Sequence, residues 1–215
     1  NLNETVGNMT VAPAIDLEKN GGTVNSISAA TEVCLTADDG TIDYTGQTIQ
    51  AGNSLALRTR DTLTTGGRLV TTGTNGTVSI EVTNGGIQDG NGGFDIVSQT
   101  AVLKANGDIG SRFNPIDTRV DRLAAESTSG DVNIYETDEV TLNAAAGNDV
   151  RIQVGNGSLS VETVTAGNNV DITVDNGDVL DANGGANNIT AGTDVSITAP
   201  HGCVGENGAL LEITA

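Results

Sequence analysis

A strand-and-turn unit returns, loosely spaced, through the C-terminal half of the chain, and few folds accommodate it. Ala146–Leu159 reads A-G-N-D-V-R-I-Q-V-G-N-G-S-L, and Ala166–Val179 reads A-G-N-N-V-D-I-T-V-D-N-G-D-V. A third copy opens at Ala191–Thr198 (A-G-T-D-V-S-I-T) and an earlier one at Ser129–Glu136 (S-G-D-V-N-I-Y-E), while Ala105–Ile109 (A-N-G-D-I) starts alike. The anchoring glycines Gly107, Gly130, Gly147, Gly167 and Gly192 lie 23, 17, 20 and 25 residues apart. A variable period near twenty, with several short strands per unit, fits one coil of a parallel β-helix. These glycines are expected at corners, where a positive φ is useful.

Within the units the apolar residues alternate. Asp149–Val154 (D-V-R-I-Q-V), Asn169–Val174 (N-V-D-I-T-V) and Thr77–Val82 (T-V-S-I-E-V) each present one apolar face, built from residues that suit a pleated surface. Hydrophobic residues are only 36% of the chain and its net charge is −19, a balance that raises disorder, but the patterning argues against it. Aromatics are 2% and Trp is absent, too few for the thick core of an immunoglobulin-like sandwich. Val, Ile, Leu, Ala and Thr instead suit a narrow interior in which equivalent positions stack. Asn-Gly recurs nine times, from Asn20 to Asn207. In isolation it signals tight hairpins, so an antiparallel meander is the main rival. The units rarely pair as matched hairpin arms, which favours the solenoid. Stacked Asn side chains can also form ladders at its corners.

Ala105–Leu142 carries G-D-I-G at Gly107–Gly110, N-P-I-D-T at Asn114–Thr118, an apolar segment at Val120–Leu123, G-D-V-N-I at Gly130–Ile134 and T-L at Thr141–Leu142. This stretch resembles repeats of the large secreted exoproteins of the filamentous haemagglutinin type. The resemblance implies a right-handed parallel β-helix on the bacterial cell exterior, serving as an adhesin shaft or fibre without catalytic residues. The expected fold is therefore all-β, a single right-handed parallel β-helix (β-solenoid) of about ten coils, roughly 50 Å long at ~4.8 Å per coil. The solenoid is expected over residues 23–215, with an N-terminal cap or exchange strand over 1–22.

Several functions are disfavoured. The negative charge repels phosphate backbones, so no nucleic-acid partner is expected. No apolar run approaches the ~20 residues of a membrane helix. The chain opens without Met, basic n-region or apolar h-region, as a mature or excised piece would. A carbohydrate-binding or carbohydrate-cleaving β-helix is the rival function. However, Asp38–Asp39 and the lone His201 would lie roughly eight coils apart, ~35–40 Å by coil spacing, too far for a proton relay. The nine cations are scattered, with Arg119 and Arg122 the nearest to a cluster. No enzyme activity is expected.

Acidic turns recur at Asp38-Asp39-Gly40, at Asp89-Gly90-Asn91-Gly92-Gly93-Phe94-Asp95 and at Asp175-Asn176-Gly177-Asp178. Calcium is the cofactor such turns could take, since it binds six to eight oxygens. The tandem nonapeptide of calcium-binding solenoids is only echoed at Gly92–Asp95, so the simpler reading is a solvated acidic surface and no cofactor is expected. Five glycosylation sequons, at Asn3, Asn8, Asn75, Asn156 and Asn188, match chance for this composition. Cys34 and Cys203 should sit near opposite ends, beyond the ~7 Å reach of an intramolecular disulfide. They are either buried thiols or a candidate inter-subunit cross-link. Uncapped ends would stack head to tail into a fibre, a homo-oligomer, with a cell-surface receptor or carbohydrate as the external partner.

Overall fold

A computed structural model describes residues 26–206 and 209–215, plus the backbone of Met9–Val11, Ala14–Glu18 and Gly22–Thr23. The chain winds into a parallel β-solenoid of about 8 turns, with no helix among the described residues. Each turn contributes strands to two long sheets. One sheet stacks 10 strands from Met9–Val11 to Val195–Thr198, and the other stacks 11 from Ala14–Glu18 to Ile213–Thr214. A third, interrupted face includes Leu63–Thr65 beside Ile87–Asp89 and continues through bridges from Ile87 to Ile109 and from Ile109 to Val132. Pairing along the ladders is parallel, as in Val150–Val154 on Val170–Val174. The antiparallel contacts among the described residues are two local bridges, Ser111 to Asn114 and Glu206 to Ala209. A hairpin meander is thereby excluded.

The alternation seen in the sequence becomes an inside and an outside. Val150, Ile152 and Val154 are buried, whereas Arg151 and Gln153 point outward. Registration places like on like. Leu35, Leu57, Ile80, Leu103, Ala125, Ala144 and Val164 form one column through the second sheet. Fully burying one such aliphatic side chain contributes about 1.5–3 kcal/mol. Outside, neighbouring turns are tied by exposed ion pairs such as Arg58–Glu81 (3.5 Å), Lys104–Glu126 (3.3 Å) and Arg119–Asp138 (3.1 Å). Each is worth about 0–1 kcal/mol.

The glycines correct one expectation. Among the anchors, none has a positive φ. They are required by close approach instead: a Cβ at Gly167 would lie 2.0 Å from the Gly147 carbonyl oxygen, and one at Gly192 would lie 2.0 Å from that of Gly167. Among the described residues the expected Asn ladder is found as one step, with Asn176 Nδ2 donating to Asn156 Oδ1 at 3.4 Å and to the Gly155 carbonyl at 3.0 Å.

Most of the segment expected as an N-terminal cap, 1–22, lies outside the described residues. Within it, Met9–Val11 pairs in parallel with Ile27–Ala29, and Ala14–Glu18 with Glu32–Thr36. Longer loops interrupt the regular winding, among them one between Asp89 and Ile96 and another between Asp181 and Ile189.

Candidate functional site

The residues singled out from sequence are dispersed along the rod. Cys34 is half-buried in Glu32–Ala37, near the start of the second sheet, and Cys203 is exposed in the last turn. No disulfide joins them. Asp39 pairs with Arg60 at 2.7 Å, while exposed His201 places Nδ1 2.8 Å from the Asp175 carbonyl oxygen at the other end. Among the described residues, Asp38–Asp39 and Asp175–Asp178 gather no third acidic partner. The Asp89–Asp95 turn does.

That turn leaves the third face at Asp89 and re-enters the first sheet at Ile96. Asn91 organises it. Its N–H donates to Asp89 Oδ1 (2.7 Å), and its Nδ2 donates to Asp95 Oδ1 (2.8 Å) and to the Thr65 and Gly67 carbonyls of the turn below (2.6 and 3.2 Å). The Asp117 N–H, one turn above, donates to Asp95 Oδ2 at 2.9 Å. Asn114 of that turn donates to the Asp89 carbonyl at 2.9 Å. Asp95 is thereby pinned at 0% exposure between two turns.

Three carboxylates meet here. One oxygen each from Asp89, Asp95 and Asp117 lies within 4.8 Å of the other two. Among the described residues none of the three is in an ion pair. Burial, reinforced by the charges of Asp89 and Asp117, raises the Asp95 carboxyl from 3.8 to about 7, against the opposing pull of the Thr65 hydroxyl and the Asp117 N–H. Burial and the Asp89 charge raise Asp117 as well. Beneath them is Tyr44, 0% exposed, whose hydroxyl has no hydrogen-bond partner. Burial and then the charges of Asp95 and Asp89 hold that hydroxyl well above its ordinary value.

Glu136 is a buried carboxylate of another kind. It accepts from Thr118 Oγ1 (2.7 Å) and from the N–H groups of Val120, Thr137 (2.8 Å) and Asp138. Burial raises it to about 7. Every donor is a neighbouring corner group, so its role is to close the corner after Ile116–Arg119.

A polar groove of about 810 Å³ runs along the edge between the sheets, lined by Gln99, Asp121, Arg122, Glu139, Ser158 and Ser160 among others. No aromatic ring lines it, and Arg122 is tied to Glu162. Sequence reading found Asp89 and Asp95 but missed Asp117, Tyr44 and Glu136, which occupy ordinary positions in alternating strings.

Fold and surface together define a parallel β-solenoid whose polar chemistry concentrates at its corners. No family model, curated protein or solved structure matches the chain.

Proposed function

We propose that the protein is a structural segment of an extracellular fibre or adhesin shaft, a right-handed rod of about ten coils that continues axially through its own ladders. The observation that carries this reading is the state of the last turn. Val195–Thr198 and Ile213–Thr214 each pair on one edge only among the described residues. Beside them Val204, Leu210 and Ile213 are exposed at 50%, 68% and 45%, whereas such residues elsewhere are almost all buried. A further turn, from the same polypeptide or from another copy, would satisfy both the open hydrogen bonds and this apolar surface. The resemblance of residues 105–142 to secreted exoproteins supports placement on a bacterial surface.

The test is negative-stain microscopy and sedimentation of the purified chain across concentration. Thin fibres one rod wide are expected, shortened by Ile213→Asp. Particles that stay single at every concentration, or that bind a glycan along the Asp121–Glu139 groove without end-to-end association, overturn the proposal.

A further inference from the structure

The loop that gathers the three carboxylates has a counterpart in the same molecule. Asp181-Ala182-Asn183-Gly184-Gly185 repeats the Asp89-Gly90-Asn91-Gly92-Gly93 pattern. Its bonding matches: the Asn183 N–H donates to Asp181 Oδ1 at 2.8 Å, and Asn183 Nδ2 donates to the Glu162 carbonyl of the turn below. The buried residue that closes it, at 0% exposure, is Asn188. Asn188 Nδ2 donates to the Val161 carbonyl (2.8 Å) and to Asp181 Oδ1 (2.9 Å), while its Oδ1 accepts the Glu212 N–H of the next turn (3.0 Å). Asp95 accepts the Asp117 N–H in the same manner. One loop is thus closed by a neutral amide whose donors and acceptors are all used. The other is closed by a carboxyl facing two more carboxyls.

The second loop shows that such a turn can close without a buried acid; in the first, Asp95 instead accepts at both oxygens, from Asn91 Nδ2 and from the Asp117 N–H. Three acids in mutual contact cost folding energy unless something positive joins them. The oxygens are spaced for an ion. Calcium binds oxygen at about 2.3–2.6 Å, so its ligand oxygens stand no more than about 5 Å apart, and one oxygen from each of the three acids lies within 4.8 Å of the other two. Asp117 accepts no hydrogen bond through its carboxylate among the described residues, and Asp89 accepts one at Oδ1 alone, so both keep oxygens for a ligand. Tyr44 is the second, independent sign. It is fully buried, and its ring lies against Gly67, whose carbonyl is held by Asn91; the charges that reach its hydroxyl are those of Asp95 and Asp89. An unpartnered buried hydroxyl beside those charges lacks the acceptor that a water of an ion's shell would supply.

We propose that Asp89, Asp95 and Asp117 form a calcium site that rivets two successive turns of the solenoid, with Tyr44 supporting it from below. Calcium is favoured over magnesium because the donors are carboxylates on a loop and two ladders, which cannot supply near-ideal octahedral geometry. The ion stabilises the rod by closing turns that side-chain packing alone leaves under repulsion.

The chain has no Trp and two Tyr residues, which makes terbium a sharp probe. Full-length protein stripped with EDTA is titrated with terbium under tyrosine excitation, and with calcium or magnesium by calorimetry and thermal melting. Expected are sensitised emission lost in Tyr44→Phe but kept in Tyr135→Phe, one calcium per chain, and a melting temperature raised by roughly 5–10 °C at calcium a hundredfold above its Kd. Asp95→Asn, which keeps one of the two acceptors and relieves the clustered charge, should fold and lose the calcium response. Asp117→Asn should weaken calcium at least tenfold. The proposal is overturned if millimolar calcium shifts wild type no more than it shifts Asp95→Asn. It is equally overturned if the EDTA-treated protein is stabilised only by lowering pH through 7, since a shared proton then does the ion's work. Failure here leaves fibre assembly standing, because neither readout depends on axial association.

Discussion

Replacing Gly167 by Ala tests what holds the turns at their spacing. The added Cβ would lie 2.0 Å from the Gly147 carbonyl oxygen, where ordinary contact begins at 3.4 Å. The two turns must therefore part locally by roughly 1.4 Å, or the carbonyl must rotate out of its ladder. Parting would stretch the Gly167 N–H bond to the Ala146 carbonyl, now 3.1 Å, past its useful limit. Overpacking of this kind costs about 1–3 kcal/mol, and the lost backbone bond adds about 1 kcal/mol. Loss of about 2–4 kcal/mol lowers the melting temperature of a chain this size by roughly 5–15 °C. Two glycines serve as controls. Gly185 has open space around it and no positive φ, so Gly185→Ala should change stability by less than about 0.5 kcal/mol. Gly46 has open space but φ of 70°, so Gly46→Ala should cost about 1–2 kcal/mol from backbone strain alone. Far-UV circular dichroism melts of the three variants and wild type give the order. Should Gly167→Ala melt with Gly185→Ala, or should Gly46→Ala be the worst, close approach between turns is not what these glycines provide.

Other consequences can be measured on the same material. Leu103→Ala opens a cavity in the central column, where the side chain is 0% exposed, and should cost about 2–5 kcal/mol in urea unfolding; a cost below 1 kcal/mol would mean the column is not close-packed. Glu136 sits at about 7 against an ordinary 4.5, so folding favours its protonated form. That contribution is present in full below about pH 4.5 and is lost as pH rises through about 7. Melts across this window should fall with pH, and Glu136→Gln should remove part of the slope; an unchanged slope would show that its four donors already hold the carboxylate charged. Head-to-tail stacking would bring the Cys203 end of one copy against the Cys34 end of the next. Non-reducing electrophoresis of concentrated protein should then show covalent multimers that vanish in Cys203→Ser, and monomer alone would remove the cross-link.

How much of this was readable beforehand follows from the physics of a coil. The inward positions were legible because alternation is a local property: Val150, Ile152 and Val154 declare their face within five residues. Direction of pairing was legible from recurrence, despite nine Asn-Gly steps that favour hairpins when seen alone. The glycines were placed correctly but explained wrongly, since φ is local and the carbonyl that excludes a Cβ belongs to the previous turn. The acid cluster shows the same limit more strongly. In a solenoid a side chain meets its neighbours one turn away, and here the turn length varies. Asp95 and Asp117 lie 22 residues apart and come together only because Ile96 registers with Thr118. No fixed offset finds such a pair. What could have flagged it is the departure from the repeat. The turn below joins Thr65 to Arg68 through Gly66–Gly67, whereas the next joins Asp89 to Ile96 through the longer Gly90–Asp95. An inserted loop breaks the inside–outside alternation, so it is where a polar side chain can turn inward. A buried carboxylate, in such a loop or at a strand end as Glu136 is, needs a partner, and that partner must be sought in the turns above and below it as well as beside it.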